Sequence, residues 1–241
     1  MLHKTRGIVL RTIDYSDTSL IAKIYTEEFG IQSYLIKGAK RKKAPIRVNL
    51  FQPLSLLELI VYKKEKKQLQ SLKEARTEVH LTSIPHDPAK TSILFFLNEL
   101  ILKCLDEEEN NPELFSFLHE TIQTLDATEK NFSNLHLIFF IRFSRYLGFY
   151  PQGNFTDKNS FFDLREGGFV SKEPIHPDYL AKENSLLLNK LILSNYYTMD
   201  NLQLSGKERK ALLDILLRFY ELHLSHMGRI ISHKVLEQLF M

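Results

Sequence analysis

Residues 7–38 read GIVLRTIDYSDTSLIAKIYTEEFGIQSYLIKG. Three short runs rich in Ile, Val, Leu and Tyr are separated by DYSD and by FG, so each run reads as a strand and each gap as a turn. SYLIK shows the alternation a half-buried strand requires: Tyr34 and Ile36 fall on one side, Ser33, Leu35 and Lys37 on the other. Two further runs, PLSLLELIVYKK and QLQSLKEARTEV, carry the pattern to about Leu81. Five short strands with turn signals between them predict a small barrel or sandwich. The OB-fold is the five-stranded barrel that most often binds single strands.

After Pro85 and Pro88 the apolar period changes to three and four. TSILFFLNELILKCL, PELFSFLHETIQTL, NLHLIFFIRFSRYLG, SLLLNKLILSNYY, GKERKALLDILLRFYELHLSHM and RIISHKVLEQLF read as helices. Pro112 starts one, Gly148 with Pro151 stops another, and Ser205 with Glu208 forms a capping box ahead of the longest. The fold class is therefore α+β and multidomain. Residues 1–82 are expected to form an OB-fold nucleic-acid-binding domain and residues 83–241 an α-helical domain, with an irregular insertion at 150–178 that holds a hairpin near Gly167 and Gly168.

Of the 241 residues 44% are apolar, enough to bury a sizeable core. The longest apolar run, Ile93–Leu102, is interrupted by Asn98 and Glu99, too short for a membrane span. Met1–Leu10 carries Lys4 and Arg6 with no apolar segment of signal-peptide type behind them, so a cytoplasmic location and no membrane partner are expected. A lone cysteine, Cys104, allows neither an internal disulfide nor a cysteine zinc site, and reads as a buried small hydrophobe. Charge is unevenly spread: residues 1–80 hold 16 Lys+Arg against 8 Asp+Glu, so the net +3 of the chain belongs to the N-terminal third. Such a segment fits a polyanion, nucleic acid before a membrane surface.

Six cations, Lys37, Lys40, Arg41, Lys42, Lys43 and Arg47, crowd into the loop after the third strand. Clustered Lys and Arg neutralise phosphates and release counterions, which gives salt-sensitive affinity without sequence preference. Single strands also stack on aromatic rings. Tyr15, Tyr25, Phe29, Tyr34, Phe51 and Tyr62 lie in this third, most of them expected in the core, and the candidate nucleic-acid contacts are the six cations with Tyr34. KKEKK at 63–67 reads as a solubilising turn, and the acidic run at 106–110 as solvated. His223 and His226 have chelate spacing, but no carboxylate or cysteine completes a set, so no metal is expected. Lys207, Arg209 and Lys210 oppose the macrodipole of their helix and hint at an acidic partner. The motifs of proteases, NTP-hydrolysing enzymes, esterases and dinucleotide-binding proteins are missing, and no catalytic constellation or cofactor is read.

The stretch GIVLRTIDYSDTSLIAKIYTEEFGIQSYLIKGAKRKK closely resembles the N-terminal signature of the RecO family of bacterial recombination mediators. ALLDILLRFYELHLSHMGRIISHKVL is similar to that family's closing helices, and LGFYP followed by FFDLREGGFV to its central segment. The resemblance implies an OB-fold and a helical domain that bind single- and double-stranded DNA and anneal complementary strands. It also implies work with RecR and the C-terminal tail of single-strand-binding protein to load RecA, in the bacterial nucleoid. Carried onto this chain, the DNA-contact motif falls on Lys37, Lys40, Arg41, Lys42 and Lys43. Arg142, Arg145, Arg218 and Arg229 are the expected rim of a groove for the acidic tail. Many members hold zinc with four central cysteines. Residues 149–177 have none, so packing of Phe155, Phe161, Phe162 and Phe169 is expected to hold the insertion instead. An OB-containing interaction scaffold and an RNA-binding protein stand as alternative readings of the residues.

Overall fold

The structure is a computed structural model that describes residues 1–64, 67–105 and 110–240. It divides into two compact units, Met1–Asp87 with Leu105–Asp126, and Pro88–Cys104 with Ala127–Met241.

The first unit is built on β1 (Leu2–Asp14), β2 (Leu20–Thr26), β3 (Gly30–Ile36), β4 (Leu56–Tyr62) and β5 (Leu69–Thr77). They close into a barrel in the order β1-β2-β3-β5-β4, with β4 returning antiparallel to β1 and β3 running parallel to β5. This is the OB arrangement expected from the alternating runs. β1 begins at Leu2, earlier than its apolar pattern, because its first half pairs with β4 and its second with β2. Val9, Leu20, Ala22, Ile24, Tyr34, Ile36, Leu57, Leu59 and Val61 fill the interior. A Cβ on Gly7 would come within 2.6 Å of Leu59 Cδ1 and 2.7 Å of Ile24 Cγ2, so the strand crosses this crowded point without a side chain.

The register of β1 against β2 shifts between Val9 and Arg11, which leaves Leu10 as an extra, buried residue. Strict alternation from the inward Val9 would turn Arg11 and Ile13 into the barrel. The bulge turns both outward instead, opposite Lys23 and Ile21.

The helix α2 (Pro112–Ala127) belongs to this unit. Its Phe115 lies 6.1 Å from the ring of Tyr25 and under the Arg6 guanidinium, and the Tyr25 hydroxyl donates to Asn111 O at 3.2 Å. Arg6 donates to Glu27 at 2.5 and 2.7 Å and holds that carboxyl below the usual carboxylate range. Asp126 accepts the backbone N–H groups of Thr82, Ser83 and Ile84 at 2.8–2.9 Å, fixing the segment that leaves β5.

In the second unit α1 (Pro88–Cys104), α4 (Lys182–Leu193), α5 (Gly206–His223) and α6 (His233–Phe240) accompany α3 (Leu135–Tyr146). α3 is buried at nearly every position, as a helix apolar on all sides must be. Its fully buried His136 lies between Phe96 and Phe240, and burial pushes the imidazole down to about 3, so it is neutral. The Ser205 and Glu208 capping box is present at the start of α5. Residues 150–180 form a three-stranded sheet, β6 (Phe161–Asp163), β7 (Gly168–Val170) and β8 (Tyr179–Leu180), in the order β7-β6-β8. Phe162 is buried against Phe169 and Phe219, while Asp178 accepts from Arg165 and Arg218 at 2.8–3.0 Å. His176 Nε2 stands 3.1 Å from Asp163 Oδ2. Aromatic packing and ion pairs together therefore hold this segment.

No helix among the described residues is long and apolar enough to cross a membrane.

Candidate nucleic-acid interface

All six loop cations are exposed. Gly38, at φ +69°, turns the chain out of β3, and its N–H bonds Ser19 Oγ while Lys40 N bonds Thr18 O, which ties the loop to the β1–β2 turn. Lys40 differs from the others: its Nζ lies 2.6 Å from Asp14 Oδ1. Lys37, Arg41, Lys42, Lys43 and Arg47 form no ion pair among the described residues. Such cations keep their charge available to an outside anion.

Tyr34 requires a correction as a contact. It is 0% exposed, because the inward side of the SYLIK alternation is the barrel interior, and no base can stack on it in the closed barrel. The exposed ring of this region is Tyr15, 59% exposed in the β1–β2 turn. Tyr15 N and Ser16 N both bond Ser19 O, which fixes the turn. Tyr15, Leu35, Lys37 and Arg41 line a recess of about 390 Å³. Beside it the outward residues of three strands stand in register: Ile13 opposite Ile21 opposite Leu35, and one row further Arg11 opposite Lys23 opposite Ser33. This face carries aliphatic side chains between cations. Its one sequence signal was the outward Ser33, Leu35 and Lys37 of SYLIK; Arg11 and Ile13 were hidden by the bulge.

A larger recess, about 490 Å³, lies against β4 and β5 between Lys4, Glu58, Glu74 and Arg76. There Glu58 pairs with Arg76 and with Lys4 at 3.6 Å, so its cations are already matched by carboxylates. Nor does the second basic cluster extend the loop. Lys63 donates to Gln32 and lies over Phe29 at the start of β3, the end opposite Lys37, while Glu65 and Lys66 are outside the described residues. The four acidic residues of the run read at 106–110, Asp106 to Glu109, are outside them too.

In the second unit the four arginines hold separate posts. Arg142 donates to Ser194 O at 2.9 Å, Arg145 stacks 4.7 Å over Tyr150, Arg218 is engaged by Asp178, and the Arg229 carbonyl accepts from Lys103. Arg209 donates to Phe240 O and Asn134 Oδ1, and Lys210 pairs with Glu237 at 2.7 Å. Those two cations at the start of α5 thus fasten neighbouring chain, while Lys207 stays exposed. His223 stacks on Phe149 and bonds Leu164 O. A four-cysteine zinc site does not fit this chain: residues 149–177 lack cysteine and the one cysteine, Cys104, is buried in α1.

A closed barrel of this topology, with a cation-edged outer face, places the chain among OB-fold proteins that carry an additional helical unit. Comparison with known proteins narrows the class. Residues 1–79 match the family model for the N terminus of recombination protein O, and residues 85–229 the model for its C terminus. The chain is 40% identical over 240 residues to DNA repair protein RecO of Azobacteroides pseudotrichonymphae and 40% identical to that of Phocaeicola vulgatus, with 100% of each chain covered. It is 38% identical over 241 residues to the RecO of Bacteroides fragilis, again over 100% of both. The chain belongs to the RecO family of DNA repair proteins.

Proposed function

We propose that the chain is a non-enzymatic DNA mediator that binds single- and double-stranded DNA through its barrel, anneals complementary strands and helps load RecA. The observation that carries this reading is the set of loop cations without carboxylate partners, Lys37, Arg41, Lys42, Lys43 and Arg47, mounted on an OB barrel. Annealing requires no bond chemistry. Cations screen the repulsion between two phosphate backbones, and loose contacts leave bases free to search for complements. The barrel, residues 1–82, is the part assigned to DNA. Residues 83–241 are assigned to partners, RecR and the acidic tail of single-strand-binding protein, with Arg145 and Arg229 the exposed members of the four arginines least tied by carboxylates.

Titration of labelled single strand and duplex across salt concentrations tests this reading. Binding is expected to weaken steeply with salt, and replacing Lys37, Arg41, Lys42 and Lys43 by Ala to reduce the log–log slope by about 0.7 per lost single-strand contact. An unchanged slope removes the loop from the interface. Annealing of strands coated with single-strand-binding protein, with and without the chain, tests the mediator role.

A further inference from the structure

We propose that the outer face of β1–β2–β3 next to Tyr15 is a platform for unpaired bases, and that Tyr15 is the residue by which this chain favours single strands over duplex. The inference rests on the DNA-binding reading above and assigns a different task to a different set of side chains.

Three observations converge on this face. Tyr15 is exposed and held in a bonded turn, so its ring is presented without the conformational cost of ordering a loose loop. Ile13, Ile21 and Leu35 form an apolar row across three strands, with cross-strand neighbours about 5 Å apart, and Leu35 also lines the recess that Tyr15 lines. Cations edge the row on two sides: Arg11 and Lys23 in the adjacent register, Lys37 and Arg41 at the recess. The carboxylates near it are Asp14, which Lys40 neutralises, and Asp17 in the turn.

The occupant follows from this chemistry. Apolar side chains and a ring between cations match a ligand with flat apolar faces on an anionic backbone, which is single-stranded nucleic acid. A duplex stacks its bases on one another and offers only phosphates and groove edges, so it engages the cations and gains nothing from Tyr15. The difference also gives annealing a direction, because strands that pair must leave the platform and are then held by the cations alone.

The test compares wild type, Tyr15→Ala and Tyr15→Phe on a single-stranded oligonucleotide carrying 2-aminopurine, the same strand with abasic sites, and a matched duplex. Tyr15→Ala is expected to weaken single-strand binding roughly 5- to 150-fold, the range for loss of one stacked base. Duplex affinity and the salt slope should be unchanged. Wild type and Tyr15→Phe should quench 2-aminopurine and prefer the intact to the abasic strand; Tyr15→Ala should do neither. Equal losses on single strand and duplex, or no loss on either, overturn the platform while salt-sensitive binding leaves the DNA-binding reading standing. A wild type that binds neither form overturns both.

Discussion

The outer face of β1–β2–β3 has two ends built by the same strands. At one, Ile8 stands opposite Tyr25 and Tyr25 opposite Ile31, all buried, with Phe115 of α2 against the tyrosine ring. At the other, Ile13, Ile21 and Leu35 stand in the same relation, but Ile13 is 45% exposed and the neighbouring row is Arg11 and Lys23. Strand alternation produces an apolar row in both places. What separates scaffold from surface is whether a helix covers the row and whether cations edge it. An outward aliphatic row on a barrel therefore indicates a site only once the rest of the chain has declined to bury it.

The largest expected effect lies at the covered end. Phe115→Ala removes a fully buried ring beside Tyr25 and Arg6 and is expected to cost about 3–5 kcal/mol of stability in urea denaturation. DNA affinity per folded molecule should not change. A second effect follows from the burial that pushes the Tyr25 phenol up to about 12. The folded state keeps its proton while the unfolded chain loses it near 10, so stability is full below that pH and declines by about 2 kcal/mol as pH rises toward 12. Urea titrations at pH 9 and pH 11.5, with phenolate absorbance, check the sign. At the open end Ile21→Ser should cost about 1 kcal/mol or less, since its side chain is only partly buried, yet weaken single-strand binding. A loss as large as that of Phe115→Ala would erase the contrast between the two ends. Asp14→Ala should have the smallest effect, under about 0.5 kcal/mol, because the Lys40 pair is exposed; a fluorescence titration should show slightly tighter DNA binding once Lys40 is released.

Much of this was legible in the residues. The runs from Gly7 to Gly38 announced strands, the change of period after Pro88 announced helices, and the loop cations were read as exposed and are exposed. Tyr34 was misplaced because a tyrosine's composition fits both a wet surface and a core, although its pairing with Ile36 in the alternation already favoured the inside. The 3.6-residue period of Pro112–Ala127 says helix but is silent about which core the apolar stripe fills, so its membership in the barrel unit had no sequence signal. Ion pairs that span long separations, such as Asp178 with Arg218, were equally invisible, since charge spacing along a chain reports only local neighbours.

Leu10 works in β1 as a one-letter frameshift does in a message: every side chain beyond it is read out on the opposite side. Pairing the strand without the bulge, every residue kept, would leave its composition untouched, yet send a guanidinium toward the interior and withdraw an isoleucine from solvent. The side that Arg11 and Ile13 face is thus set by one irregularity of pairing and not by the make-up of β1.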